Sequence, residues 1–236
     1  MLELNKIYNE DFIVNKLPDN SIDLCITDPP YKLTSGGSKD TKMNGGISRR
    51  NNKLNQEGKV FLHNDIKTKD WFPEIYRILK EGTHFYCMCN DKHLKEVLEE
   101  GEKAGFKEVN VLVWEKGMHT PTQYYMKNIE FVVLFRKGKA RYINNMGSYA
   151  LLKFQGIRGK KHPSEKPIDL FKHFIINSSN EGDIIIDPFM GSGTTAIACI
   201  NTNRNYIGFE LDNTYFELAS ERVNKCLDEA SGVFVS

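Results

Sequence analysis

The 236-residue sequence predicts an α/β fold, a doubly wound and mostly parallel sheet, on three observations. Apolar runs too continuous for a one-sided strand alternate with helical patterns, as happens when both faces of a sheet are covered. Two of these runs end in Asp-Pro at a turn, at residues 28–29 and 187–188. The length suits one sizeable core that needs neither disulfide nor metal staples.

Taken in order, the first strand is the run Ile22 to Ile26, stopped by a double proline. A helix follows over Trp71 to Leu79, with apolar Trp71, Phe72, Ile75, Ile78 and Leu79 and a stop at Gly82. Thr83 to Cys89 reads as a strand, and Lys92 to Ala104 as a helix closed by Gly105. Val109 to Trp114 and Phe131 to Phe135 are two further strands. A helix over Pro167 to Ile176, a strand over Asp183 to Ile186, and a helix over Thr194 to Asn201 behind a glycine-rich turn come next. Tyr206 to Phe209 and Thr214 to Leu227 complete the strands and helices. Residues 32–60, rich in Gly, Ser and Asn, read as a long loop, and residues 136–166 as a hairpin or irregular insert.

Composition narrows the function class. No window approaches 18 consecutive apolar residues and the N-terminus is polar, so no membrane partner is expected and the location expected is cytoplasmic. Cys25, Cys87, Cys89, Cys199 and Cys226 form an odd set, four of them in apolar runs, which fits reduced core thiols. The net charge of +1 hides a partition. Residues 32–60 carry +5 and residues 136–166 carry +8, leaving −12 for the rest of the chain. Two basic stretches on an acidic body point to a polyanion.

Two motifs carry chemistry. Asp28-Pro29-Pro30-Tyr31 follows a strand, and consecutive prolines hold the backbone extended while denying it amide donors. An acid, a carbonyl and an aromatic ring are thus placed together at a strand's carboxyl end, where open α/β sheets bind ligands. Asp187-Pro188-Phe189-Met190-Gly191-Ser192-Gly193-Thr194-Thr195 also follows a strand, and its glycines allow close ligand approach to a helix start. It lacks the lysine of a phosphate loop and the third glycine of a dinucleotide fingerprint. Seventeen residues beyond Gly193, Glu210 ends the next strand, where an acid can accept from ribose hydroxyls. The set suits a nucleoside cofactor without a pyrophosphate.

These residues resemble the amino-group DNA methyltransferases that use S-adenosylmethionine. The resemblance rests on DPPY, on DPFMGSGTT with its FxGxG core, on GFELD, and on His162-Pro163-Ser164-Glu165-Lys166-Pro167, similar to an HPxxKP element. It covers most of the chain. DPPY precedes FxGxG, which resembles the permuted β group and implies a Rossmann-like class I methyltransferase fold with permuted motif order. It further implies one catalytic domain over 1–236, with the basic loop 32–60 and a small recognition insert at about 118–161. Asp28, Pro29, Pro30 and Tyr31 are the catalytic residues it implies, Tyr31 also stacking on the base. Asp187, Phe189, Gly191, Ser192, Gly193, Thr194, Glu210 and Lys166 fall on the cofactor side, with Lys166 near the methionine carboxylate. Asp11 of the opening segment is implied near the target base and is counted with the cofactor group. Arg49, Arg50, Lys53, Arg158, Lys160 and Lys161 are candidate DNA contacts.

The initial Asp of DPPY favours adenine N6 as the acceptor, with cytosine N4 as one alternative and a catalytically silent nucleic-acid-binding module as another. No cysteine follows a proline, which sets aside the cytosine-C5 enzymes. His84, Cys87, Cys89 and His93 suggest zinc only weakly, because Cys-x-Cys is shorter than the usual ligand spacing, so no metal is expected. Trp114 reads as packing. The resemblance is compatible with a homodimer and with a companion restriction endonuclease, and no residue selects either.

Overall fold

The computed structural model describes residues 3–30, 66–120, 124–139, 141–157 and 165–231. In chain order these form β1 (Lys6–Tyr8), a 3-10 turn (Phe12–Val14), β2 (Ile22–Thr27), α1 (Thr68–Ile78), β3 (Leu79–Cys89), α2 (Leu94–Ala104), β4 (Lys107–Thr120) and β5 (Lys127–Arg136). Then come β6 (Leu151–Lys153), α3 (Ile168–Ser178), β7 (Ile184–Asp187), α4 (Thr194–Ile200), β8 (Asn205–Phe209) and α5 (Asn213–Ser231). Every strand and helix read from the sequence is present, with ends shifted by a few residues.

The strands make one sheet in the order β1-β8-β7-β2-β3-β5-β4-β6. All neighbouring pairs are parallel except those of β5, which runs antiparallel to both β3 and β4. The expected mostly parallel, doubly wound α/β sheet is therefore the observed one. Side chains alternate between its faces, as a period of two requires. Leu24, Ile26, Tyr86, Met88, Val132 and Leu134 pack with α3, α4 and α5. Cys25, Phe85, Cys87, Cys89, Val133 and Phe135 pack with α1, α2 and the 3-10 turn. Removing each such large apolar side chain from water contributes about 1.5–3 kcal/mol, so both faces are strongly held.

α2 ends as its sequence predicts, with Gly105 at φ +102°, a conformation that costs a side-chain-bearing residue and suits glycine. Gly82 does not end α1. The helix stops at Ile78, β3 starts at Leu79, and Gly82 lies within that strand. Two edge strands, β1 and β6, lack a legible sequence signal because three residues give too little period to read.

Topology positions the site. From β2 the chain crosses by α1 to β3 on one side, whereas from β7 it crosses by α4 to β8 on the other. The carboxyl ends of β2 and β7 thus flank a switch point, where loops diverge and leave a crevice. Among the described residues no helix is long and apolar enough to cross a membrane. All five cysteines are free thiols, four of them buried and Cys226 partly so.

Candidate active site

The crevice is lined by both Asp-Pro turns. Asp28, Lys166, Phe171, Asp187, Phe189, Met190, Gly191, Ser192, Thr194 and Thr195 surround it. Two motifs 159 residues apart in sequence meet because β2 and β7 are neighbours, Leu24 opposite Ile185 and Cys25 opposite Ile186.

Asp28 lies just past β2 with its side chain largely buried, and Lys166 donates to its Oδ2 as an ion pair. Lys166 is also 3.5 Å from Glu130 Oε2. Burial opposes the ammonium charge, but Asp28 and Glu130 outweigh it and hold Lys166 above its ordinary value. A lysine so held stays cationic beside the carboxylates it faces. Pro29 is buried and Pro30 half-buried, as the rigid end of β2 requires. Tyr31 lies outside the described residues.

Asp187 plays a different part. Thr27 donates to its Oδ1 at 2.7 Å, the Phe189 amide donates to the same oxygen at 3.0 Å, and Thr195 donates to Oδ2. Burial pushes its carboxyl up to about 6, against these hydrogen bonds and helped by the nearby Asp28 charge. It ties the end of β7 to β2 and to the start of α4, so the glycine turn is held from inside.

The turn itself has Gly191 at φ +53° and Gly193 at φ +80°, where L side chains are strained. A Cβ on Gly193 would sit 3.3 Å from the Ala219 backbone of α5, so the close approach served here is helix to helix. Arg222 of α5 donates to the Ser192 carbonyl and pairs with Glu165 at 2.7 Å, which clamps the turn to the segment carrying Lys166. Thr194 shares a hydroxyl contact with Ser192 at 3.2 Å. Phe189 lines the crevice and packs edge-on against Trp71, ring centroids 5.0 Å apart.

Glu210, one residue past β8, accepts from the Gly191 amide at 2.8 Å and the Asp212 amide at 2.9 Å. Burial raises its carboxyl above the ordinary range. Each oxygen keeps acceptor capacity beyond its amide, as two hydroxyls of a ribose need. Asp11 caps the 3-10 turn by accepting from the Ile13 amide at 3.0 Å. It follows β1, beside β8 and three strands from β2, about 14 Å at ordinary strand spacing. That puts it on the Glu210 side of the edge rather than beside Asp28.

A model of the DNA methylase family matches residues 22–155 and 146–221, spanning both motifs and the sheet between them. The chain belongs to this family. The methylase is 29% identical to the Type II methyltransferase M.HpaI of Haemophilus parainfluenzae, over 89% of this chain and 71% of that one. It is also 29% identical to M2.MboI of Moraxella bovis, over 88% and 82% respectively. Its fold is similar to that of the M1.HpyAVI–SAM complex, with TM-score 0.68, 25% identity, and 92% and 98% coverage of the two chains. The PvuII DNA methyltransferase, described as cytosine-N4-specific, shares the fold at TM-score 0.70 and 19% identity, over 96% and 91% of the chains. The expected Rossmann-like methyltransferase fold is thereby established, and the protein is a DNA methyltransferase.

The methylase brings Asp28, Lys166, Asp187, Phe189, Gly191, Ser192 and Thr194 into one crevice, with Glu210 hydrogen-bonded to its glycine turn. Arg49, Arg50, Lys53, Arg158, Lys160 and Lys161 lie outside the described residues. His84 meets Ser178 and the Arg141 carbonyl, whereas His93 meets Asn90, so these rings do not converge on Cys87 and Cys89. Trp114 is buried and donates to the Phe154 carbonyl at 2.8 Å. Sequence reasoning missed Glu130 and Lys116, which are 3.2 Å apart on β5 and β4. It also missed Tyr124 and Tyr125, which are 89% and 92% exposed before β5. A polar residue beside an apolar strand carries no sign of its partner, so only the Glu-Phe boundary at 130–131 hinted at the first.

Proposed function

We propose that this methylase moves a methyl group from S-adenosylmethionine to N6 of adenine in double-stranded DNA, with the adenine rotated out of the helix. The observation that carries the reading is Asp28, ion-paired with Lys166 at the end of β2, in the same crevice as the glycine turn after β7. The residues present fit the cofactor: Gly191 lines the crevice, and the half-buried Glu210 carboxylate accepts from its amide. In this reading Phe189, Gly191, Ser192, Gly193, Thr194 and Glu210 hold it. When bound, it supplies a methyl group on a positively charged sulfur.

An exocyclic amine is a weak nucleophile because its lone pair is delocalised into the ring. Asp28 accepts one amine hydrogen and the Pro29 carbonyl the other, drawing nitrogen toward a pyramidal geometry. Asp28, accepting from the amine, is the group that takes its surplus proton. Tyr31 stacks on the extruded base, worth on the order of 1–3 kcal/mol against an unpairing cost of a few kcal/mol. The basic segments hold phosphates, and the β4–β5 hairpin reaches the duplex. Phe131 faces Cys89, the last residue of β3, so Lys127 lies about 13 Å beyond that edge at about 3.3 Å per residue. Exposed Tyr124 and Tyr125 precede it. We place the enzyme in the cytoplasm, acting as a modification methyltransferase.

Labelled methyl incorporation into DNA, followed by mass analysis of the nucleosides, tests the reading. N6-methyladenine is the expected product. N4-methylcytosine would replace the acceptor, and no incorporation across mixed duplexes would overturn the activity.

A further inference from the structure

Glu130 has no part in the reaction as described above, yet it reaches the site. It lies opposite Trp114 where β5 runs past the carboxyl end of β3, on the sheet face shared with Val132 and Leu134. Its two oxygens face different lysines: Oε2 is 3.5 Å from Lys166 Nζ, and Oε1 is 3.2 Å from Lys116 Nζ. Lys166 in turn pairs with Asp28. Four charges of alternating sign therefore run from the catalytic acid to the hairpin that carries the exposed tyrosines.

An ammonium has three protons and one charge to distribute. Paired to Asp28 alone, Lys166 would neutralise that carboxylate most fully and weaken it as an acceptor. With Glu130 opposite, the ammonium is divided between two carboxylates. We infer that Glu130 is a positioning residue for methyl transfer: it shares the Lys166 ammonium with Asp28 and so keeps Asp28 a stronger acceptor for the base amine. This rests on Asp28 being the amine acceptor. Other groups facing the cluster are Cys87 and Cys89 of β3, which burial keeps as thiols, and Asp187 at the end of β7. Glu165, next to Lys166 in the chain, is taken up by Arg222.

The test is single-turnover methyl transfer as a function of pH, alongside cofactor and DNA affinity, in Glu130→Gln, Glu130→Asp, Lys116→Gln and Asp28→Asn. Glu130→Gln leaves the whole Lys166 charge on Asp28. Its rate should fall about tenfold and its acid limb move down by about one pH unit, with both affinities within about threefold. Lys116→Gln removes a cation from the far side of Glu130, so its acid limb should move the opposite way, by less. Glu130→Asp should recover most of the rate. An unchanged profile in Glu130→Gln overturns the inference, as does a loss of affinity in step with the rate. Should Glu130→Gln fail to fold, an unmoved limb in Lys116→Gln overturns it. Wild-type turnover in Asp28→Asn overturns the role of Asp28 itself, whereas its loss beside a normal Glu130→Gln overturns only the role of Glu130.

Discussion

Asp28 and Asp187 stand at the ends of neighbouring parallel strands, each followed by proline, and their surroundings are opposite. Asp28 faces a lysine cation and opens onto the crevice. Asp187 faces two threonine hydroxyls and an amide and has no cation among its hydrogen-bond partners in the described residues. The first is paired with a cation and lines the crevice. The second is pushed toward neutrality and spends its acceptors on holding the turn. In the proposed reading the same dipeptide serves chemistry on one strand and architecture on the next, and the partner, not the motif, decides which.

The sharpest way to break this comparison is Asp28→Ala. Methyl transfer should fall on the order of a thousandfold or more, because the acceptor that shapes the amine is gone. Cofactor affinity, measured by calorimetry, should stay within about threefold, and turnover near wild type would remove Asp28 from the mechanism.

Asp187→Ala should act on the fold instead. It strands two buried hydroxyls and an amide, at a cost of about 2–4 kcal/mol in urea unfolding. Its pH signature has a definite sign. The folded chain keeps the Asp187 proton to about 6, beyond where the unfolded chain releases it. Asp187 therefore favours folding below the ordinary carboxylate range and loses that contribution as pH rises to about 6. Asp187→Asn should flatten this part of the stability profile, and an unaltered profile would contradict the assigned surroundings.

Gly193→Ala sharpens the contrast at the turn. Its positive φ and the Ala219 contact at 3.3 Å should cost about 1–3 kcal/mol and weaken cofactor binding, with residual turnover when cofactor is saturating. The smallest effect per residue is expected in the basic loop. Replacing Arg49, Arg50 and Lys53 with Ala should lower DNA affinity and flatten its salt dependence by a slope of roughly one to three. An unchanged slope returns that segment to a solvated role.

Much of the fold was legible because buried strands and amphipathic helices print their period on the sequence. β2, β3, β7 and β8 were read from apolar runs, and α2 was closed by the glycine that in fact caps it. The antiparallel course of β5 was not legible, since a strand buried on both faces reads alike in either direction. Of the site, the Asp-Pro turns and Glu210 were visible as motifs. Lys166 was visible as a motif residue, but its partners Asp28 and Glu130 lie 138 and 36 positions away and leave no local mark.

By itself, then, the sequence determined which elements form and which residues carry acids, glycines and prolines at strand ends, because those choices depend on local propensity and period. Only the tertiary structure decided which charge faces which. It set β2 beside β7, ran β5 past the edge of β3, and brought Lys166 between Asp28 and Glu130. Electrostatics depends on distance in space, and the sheet order that sets those distances is a property of the packed chain.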